Sequence, residues 1–74
     1  MTLDQMPLLK EAVIIRTGGS GSLRLRLLDM GLIRGTQVSV QKAAPMGDPL
    51  EIRLRGYSLT LRREDARNIE VQPL

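Results

Sequence analysis

The run L-E-I-R-L-R-G-Y-S-L-T-L-R-R, Leu50 to Arg63, alternates apolar and polar residues on both sides of a central Gly-Tyr pair. Successive side chains of an extended chain point to opposite faces, so this pattern demands two strands with one buried face and one wet face. A glycine at the first of two turn positions is the type II′ signal, because that position takes positive φ. Counting outward from a Gly56-Tyr57 loop sets Arg55 against Ser58, Leu54 against Leu59, Arg53 against Thr60, Ile52 against Leu61 and Glu51 against Arg62. Every apolar residue then meets another, and Glu51 with Arg62 makes a favourable pair on the wet face. A slip of one residue would turn the leucines to water, so the register is expected to be firmly set.

The rest of the chain supplies short elements around this hairpin. E-A-V-I-I-R, Glu11 to Arg16, is a β-branched run that reads as a first strand, and T-G-G-S-G-S after it is a loop by composition. S-L-R-L-R-L-L-D-M-G-L, Ser22 to Leu32, begins like a strand, but Leu28 breaks the alternation. As a helix it places Leu23, Leu27 and Met30 on one face, with Ser22 as the N-terminal cap and Gly31 as the left-handed stop. A helix is therefore expected from about Leu23 to Met30, with Leu32 folding back beyond it. At two turns it cannot stand alone, so its leucines must dock on something. T-Q-V-S-V-Q-K is a second strand, A-A-P-M-G-D-P a loop, R-E-D-A-R a single helical turn or corner, and N-I-E-V-Q a last strand.

With 74 residues there is room for one domain, spanning 1–74, and not for a doubly wound sheet. Five short strands with one inserted helix predict a mainly β fold, a small SH3-like barrel. The chain has no cysteine and no histidine, which removes disulfides and thiolate or imidazole metal sites as sources of stability. Its carboxylates are scattered rather than spaced like a calcium loop, so no metal and no cofactor is expected. Serines without a histidine, and no paired carboxylates, leave neither nucleophilic nor acid/base catalysis its parts, and a non-enzyme is expected. T-G-G-S-G-S matches neither phosphate-binding spacing and reads as a connector. No apolar run approaches the ~20 residues that span a bilayer, and M-T-L-D-Q-M-P lacks the order of a secretory signal, so a cytoplasmic location is expected.

L-R-L-R-L-L-D-M-G-L-I-R-G-T, A-P-M-G-D-P-L-E-I-R-L-R-G-Y and L-R-R-E-D-A-R-N-I-E-V together resemble the FeoA family, small cytoplasmic proteins of bacterial ferrous-iron transport. The likeness runs from about Leu3 to Val71. It implies the same SH3-like fold, and a role beside FeoB, a membrane permease with a cytoplasmic GTP-binding domain. One departure stands out: where relatives usually carry Pro-Gly before the first strand, this chain has Leu8 and Leu9.

The residues expected to meet a partner are the helix residues Arg24, Leu25, Arg26 and Leu28 together with Arg53, Arg55 and Arg62 on the outer face of the hairpin. Nine of the eleven basic residues are arginine, and the formal net charge is +3. Arginine is enriched at interfaces and steers association with acidic surfaces. The leading reading is thus an accessory protein that binds the cytoplasmic part of FeoB and affects iron uptake. The alternative is an SH3-like nucleic-acid-binding or repressor-type module; a single aromatic, Tyr57, and no recognition helix count against it, so no nucleic acid is expected. Self-association through strand edges is a third reading. Gly31, Gly35, Gly47 and Gly56 are assigned to turns. Asp29, unfavourable at a helix C-terminus, is expected to accept a bond from the Gly35 turn or from Arg26.

Overall fold

The computed structural model describes all 74 residues. A 3-10 turn at Leu3–Gln5 is followed by β1 (Glu11–Thr17), α1 (Gly21–Asp29), β2 (Gln37–Ala43), β3 (Leu50–Leu54), β4 (Tyr57–Leu61), α2 (Arg63–Ala66) and β5 (Ile69–Pro73). The five strands form one antiparallel sheet in the order β4-β3-β2-β1-β5. The mainly β class and the helix inserted between the first two strands are as the sequence pattern predicts. The barrel is not closed by strand pairing, however, because β4 and β5 are not neighbours. The 3-10 turn and α2 each sink a residue into the core, Leu3 and Ala66.

Two register shifts curl the sheet, one between Ile14 and Arg16 and one between Val40 and Lys42. An extra residue in one strand moves the inward set by one position and strengthens the local twist. Along β1 the buried residues accordingly pass from Ala12 and Ile14 to Thr17, leaving Ile15 outside. The core that results is aliphatic, built on Leu3, Ile14, Leu27, Leu32, Ile52 and Ile69, all fully buried. Tyr57 remains outside it, 46% exposed.

The hairpin departs from the expected register. Leu54 faces Tyr57, Arg53 faces Ser58, Ile52 faces Leu59, Glu51 faces Thr60 and Leu50 faces Leu61. The loop is Arg55-Gly56, with φ of 50° and 81°. Positive φ at both positions is the type I′ pattern, whose twist suits the flanking strands, and it replaces the type II′ turn expected at Gly56-Tyr57. A displacement of two residues keeps each side chain on its own face, so alternation alone cannot separate the registers. Glu51 consequently does not face Arg62; it pairs with Lys42 at 3.8 Å.

Helix α1 begins two residues earlier than expected, with Ser20 rather than Ser22 at the cap position and no side-chain capping bond. Its end follows the sequence. Gly31 takes φ of 93°, its N–H donates to the Leu28 carbonyl (2.9 Å), and the Leu32 N–H donates to the Leu27 carbonyl (3.2 Å). These two bonds form the Schellman stop, and buried Leu32 supplies its apolar contact. Leu27 is fully buried, while Leu23 and Met30 pack half-buried against the core.

Candidate functional site

Four of the expected interface residues lie on α1. Leu25 is 61% exposed, Leu28 is half-buried, and Arg24 and Arg26 are exposed. The exposed residues project because Leu27 holds the opposite face of the helix on the core. Arg24 turns back to donate from Nε to the Thr17 carbonyl (3.1 Å), tying α1 to the end of β1. Arg26 reaches across 39 positions of sequence to Asp65 of α2, at 3.3 Å, with its side chain 60% exposed.

The three hairpin arginines do not form one row. Arg53 is exposed on the outer face of β3, opposite Ser58. Arg55 sits in the turn and donates to the Thr36 hydroxyl (3.1 Å). Arg62 lies beyond the end of β4, where its carbonyl accepts the first bonds of α2 from Asp65 and Ala66. Asp29 makes neither expected contact, since the Gly35 N–H donates to Ile14 (2.7 Å) and Arg26 is taken by Asp65.

The fold brings Arg26 and Arg62 to one place. A groove of about 520 Å³ separates α1 from the β4 edge, with Arg26 and Met30 on one wall and Thr60, Leu61 and Arg62 on the other. Arg53 and Arg55 border a separate, smaller recess of about 200 Å³ with Glu11 and Ser39. Arg24 and Leu25 line neither. Sequence reasoning missed Met30, Thr60 and Asp65 as groove residues, because only tertiary placement joins them; no local spacing signals a contact between α1, β4 and α2.

Two braces also escaped it. The Tyr57 hydroxyl donates to the Met30 carbonyl (3.0 Å), linking the hairpin to the C-terminus of α1. Arg63 donates from its guanidinium to the Gly47 carbonyl (2.9 Å) and the Asp4 carbonyl (3.0 Å), and its N–H donates to the Asp48 carboxylate (3.0 Å). Arg63 thereby joins α2, the β2–β3 loop and the 3-10 turn.

Only three ion pairs form, Arg26–Asp65, Lys42–Glu51 and Arg67–Asp4. Arg53 and Arg62 have no carboxylate within pairing distance. No group of three or more carboxylates converges as a metal site. No helix is long and apolar enough to cross a membrane. The chemistry on offer at the groove is recognition: the unpaired Arg62 guanidinium can donate to a carboxylate, beside a small apolar patch of Met30 and Leu61.

The FeoA domain model matches residues 1–73. A Fe(2+) transport protein A/Fe(2+) transporter FeoB fusion protein of Porphyromonas gingivalis is 42% identical over 72 residues, which is 97% of this chain and only 8% of that much longer protein. A FeoA-like protein of Clostridium acetobutylicum is 38% identical, with a TM-score of 0.92 over 100% of this chain and 86% of its own. The zinc complex of Stenotrophomonas maltophilia FeoA, described as a procaryotic SH3 domain protein, superposes with a TM-score of 0.85 at 26% identity, covering 97% of this chain and 89% of that one. The open five-stranded sheet with its inserted helix is thus the SH3-like fold, and the chain belongs to the FeoA domain family.

Proposed function

We propose that this chain acts in ferrous-iron uptake as a non-enzymatic accessory that binds the cytoplasmic part of a FeoB-type permease. One observation carries the reading: a relative 42% identical across nearly all of this chain has its matching segment in the same polypeptide as a FeoB transporter. Two parts joined in one chain in one organism meet at high effective concentration, and the same contact made between separate chains needs a surface to hold it. The exposed side of α1 is suited to that task. Leu25 gives it an apolar centre, Arg24 and Arg26 a basic rim, and Arg53, Arg55 and Arg62 extend the positive charge around the hairpin.

The test replaces Arg24 and Arg26 by glutamate and Leu25 by serine in a strain whose own copy is deleted, with folding checked by circular dichroism. Iron uptake is expected to fall several-fold, and binding to the isolated cytoplasmic portion of FeoB to weaken at least tenfold. Unchanged uptake and binding would remove this surface from consideration. The same substitutions exposing no change in a thermal melt would establish that the loss is one of recognition.

A further inference from the structure

We propose that the outer edge of β4 takes up an extended acidic segment of a protein partner as a sixth strand. The inference deepens the proposed partnership by naming the manner of attachment, and it rests on that reading only for which protein carries the segment.

The two ends of the sheet are treated differently. The edge of β5 is covered: the Val71 N–H donates to the Met1 carbonyl (2.8 Å), and Thr2 bridges to Glu70. The edge of β4 has no such cover. In a two-residue hairpin the pair that closes the loop exchanges both hydrogen bonds, and bonded and non-bonded pairs then alternate. With Leu54 and Tyr57 closing the loop, Ile52–Leu59 and Leu50–Leu61 are bonded pairs. Ser58 and Thr60 therefore aim their N–H and C=O groups away from β3. Four backbone groups are presented in ladder spacing, the arrangement that an added strand satisfies.

The space beside that edge is shaped for such a guest. The groove of about 520 Å³ lies between Thr60 and Leu61 on one side and Met30 of α1 on the other. The Tyr57–Met30 hydrogen bond holds hairpin and helix at a fixed spacing. A guest strand paired with Ser58 and Thr60 would point alternate side chains toward Met30 and Leu61, where apolar residues fit, and the others toward the wet face beside Ser58 and Thr60, the face that Arg53 of the next strand also occupies.

Charge selects the guest. Arg53 stands opposite Ser58, and Arg62 follows Leu61; neither has an ion partner. Asp65 is already engaged by Arg26, which leaves Glu64 as the unpaired carboxylate of the groove. Two unpaired guanidiniums around β4, Arg53 and Arg62, against the one unpaired carboxylate, Glu64, leave an excess of one positive charge, so carboxylates on the guest's outward positions are favoured. A second copy of β4 fits poorly. Antiparallel pairing of Ser58 with the other copy's Thr60 would bring each Arg62 opposite Gly56 and beside Arg55 of the turn, adding positive charge to positive charge at both ends of the pair with no carboxylate to offset it.

The test uses an acetylated, amidated octapeptide alternating valine and glutamate, its lysine counterpart, and the isotopically labelled protein in low-salt buffer. Expected are chemical-shift changes and at least tenfold slower hydrogen exchange at the Ser58 and Thr60 amides with the glutamate peptide only. Thr60→Pro removes an outward donor while sparing the ladder to β3, and is expected to weaken binding at least tenfold. Should that variant misfold, the pair R53E and R62E keeps the question open to measurement, since it is expected to reverse the preference toward the lysine peptide. Unmoved Ser58 and Thr60 amides at millimolar peptide, equal binding of both peptides, displacement by an oligonucleotide at the same amides, or concentration-dependent dimers that Thr60→Pro abolishes would each overturn the proposal. If the FeoB portion binds the native chain and Thr60→Pro equally, the edge inference falls and the partnership stands. If the acidic peptide binds the edge but the FeoB portion does not bind at all, the partnership falls and the edge remains.

Discussion

Leu9 has φ of +66° and is 69% exposed, at the position where the FeoA resemblance expects glycine. A side chain in the left-handed region costs about 1–2 kcal/mol, and glycine recovers roughly half of that after its own entropic cost of about 0.5–1 kcal/mol. Leu9→Gly is therefore expected to stabilise the protein by about 0.5–1 kcal/mol and raise its melting temperature by about 2–8 °C, read by thermal denaturation. Gly31 shows the converse. A Cβ there would lie 2.8 Å from the Tyr57 hydroxyl oxygen, whereas at Gly35, with nearly the same φ, it would meet nothing within 4 Å. Gly35→Ala should cost only the net backbone term of about 0.5–1 kcal/mol. Gly31→Ala should cost about 1 kcal/mol more, because the bond from Tyr57 to Met30 is displaced as well. Urea denaturation of Gly31→Ala with and without Tyr57→Phe checks the assignment; removing the hydroxyl should return most of the difference.

At the scale of elements, what could be read and what could not divides along the range of the interactions. The strands around Val13, Val38, Ile52 and Ile69, the helix through Leu27 and the one-turn helix at Arg63 are all carried by local periodicity and turn chemistry, and all are present. Gly31 ends the helix through bonds to Leu27 and Leu28, within its own last turn, which is why it was legible. The hairpin register was not, because a two-residue displacement leaves every side chain on its own face and only the loop geometry differs. The Leu3–Gln5 turn is too short to show a period, yet it buries Leu3 completely and carries the chain along β5. Leu3→Ala is expected to cost about 2–5 kcal/mol in urea denaturation, as much as a central core leucine. Of the candidate site, the arginines and Leu25 were legible as exposed positions on a docked helix and an alternating strand. Their grouping was not, since Arg26 meets Asp65, and Arg62 meets the groove, only after the whole chain has folded.

Over the whole molecule the arginines are distributed so that those held by the fold and those left free can be told apart. Arg24, Arg55 and Arg63 are committed to Thr17, Thr36 and the Gly47 and Asp4 carbonyls, and Arg26 and Arg67 to carboxylates. Arg16, Arg34, Arg53 and Arg62 have no such side-chain contact, and of these Arg53 and Arg62 flank β4. Charges placed on a rim act mainly on encounter, so association with an acidic partner should slow about tenfold between about 50 and 500 mM salt while dissociation changes little, measurable by stopped flow. Neutralising Arg53 and Arg62 together should flatten that dependence. The bond from Tyr57 to Met30 allows this to be followed without a label. Tyr57 is the sole aromatic residue, and its ring is half in water where β4 meets the helix end. Its ultraviolet emission, with no tryptophan to mask it, is a native optical reporter on whether that junction is open, occupied or melted.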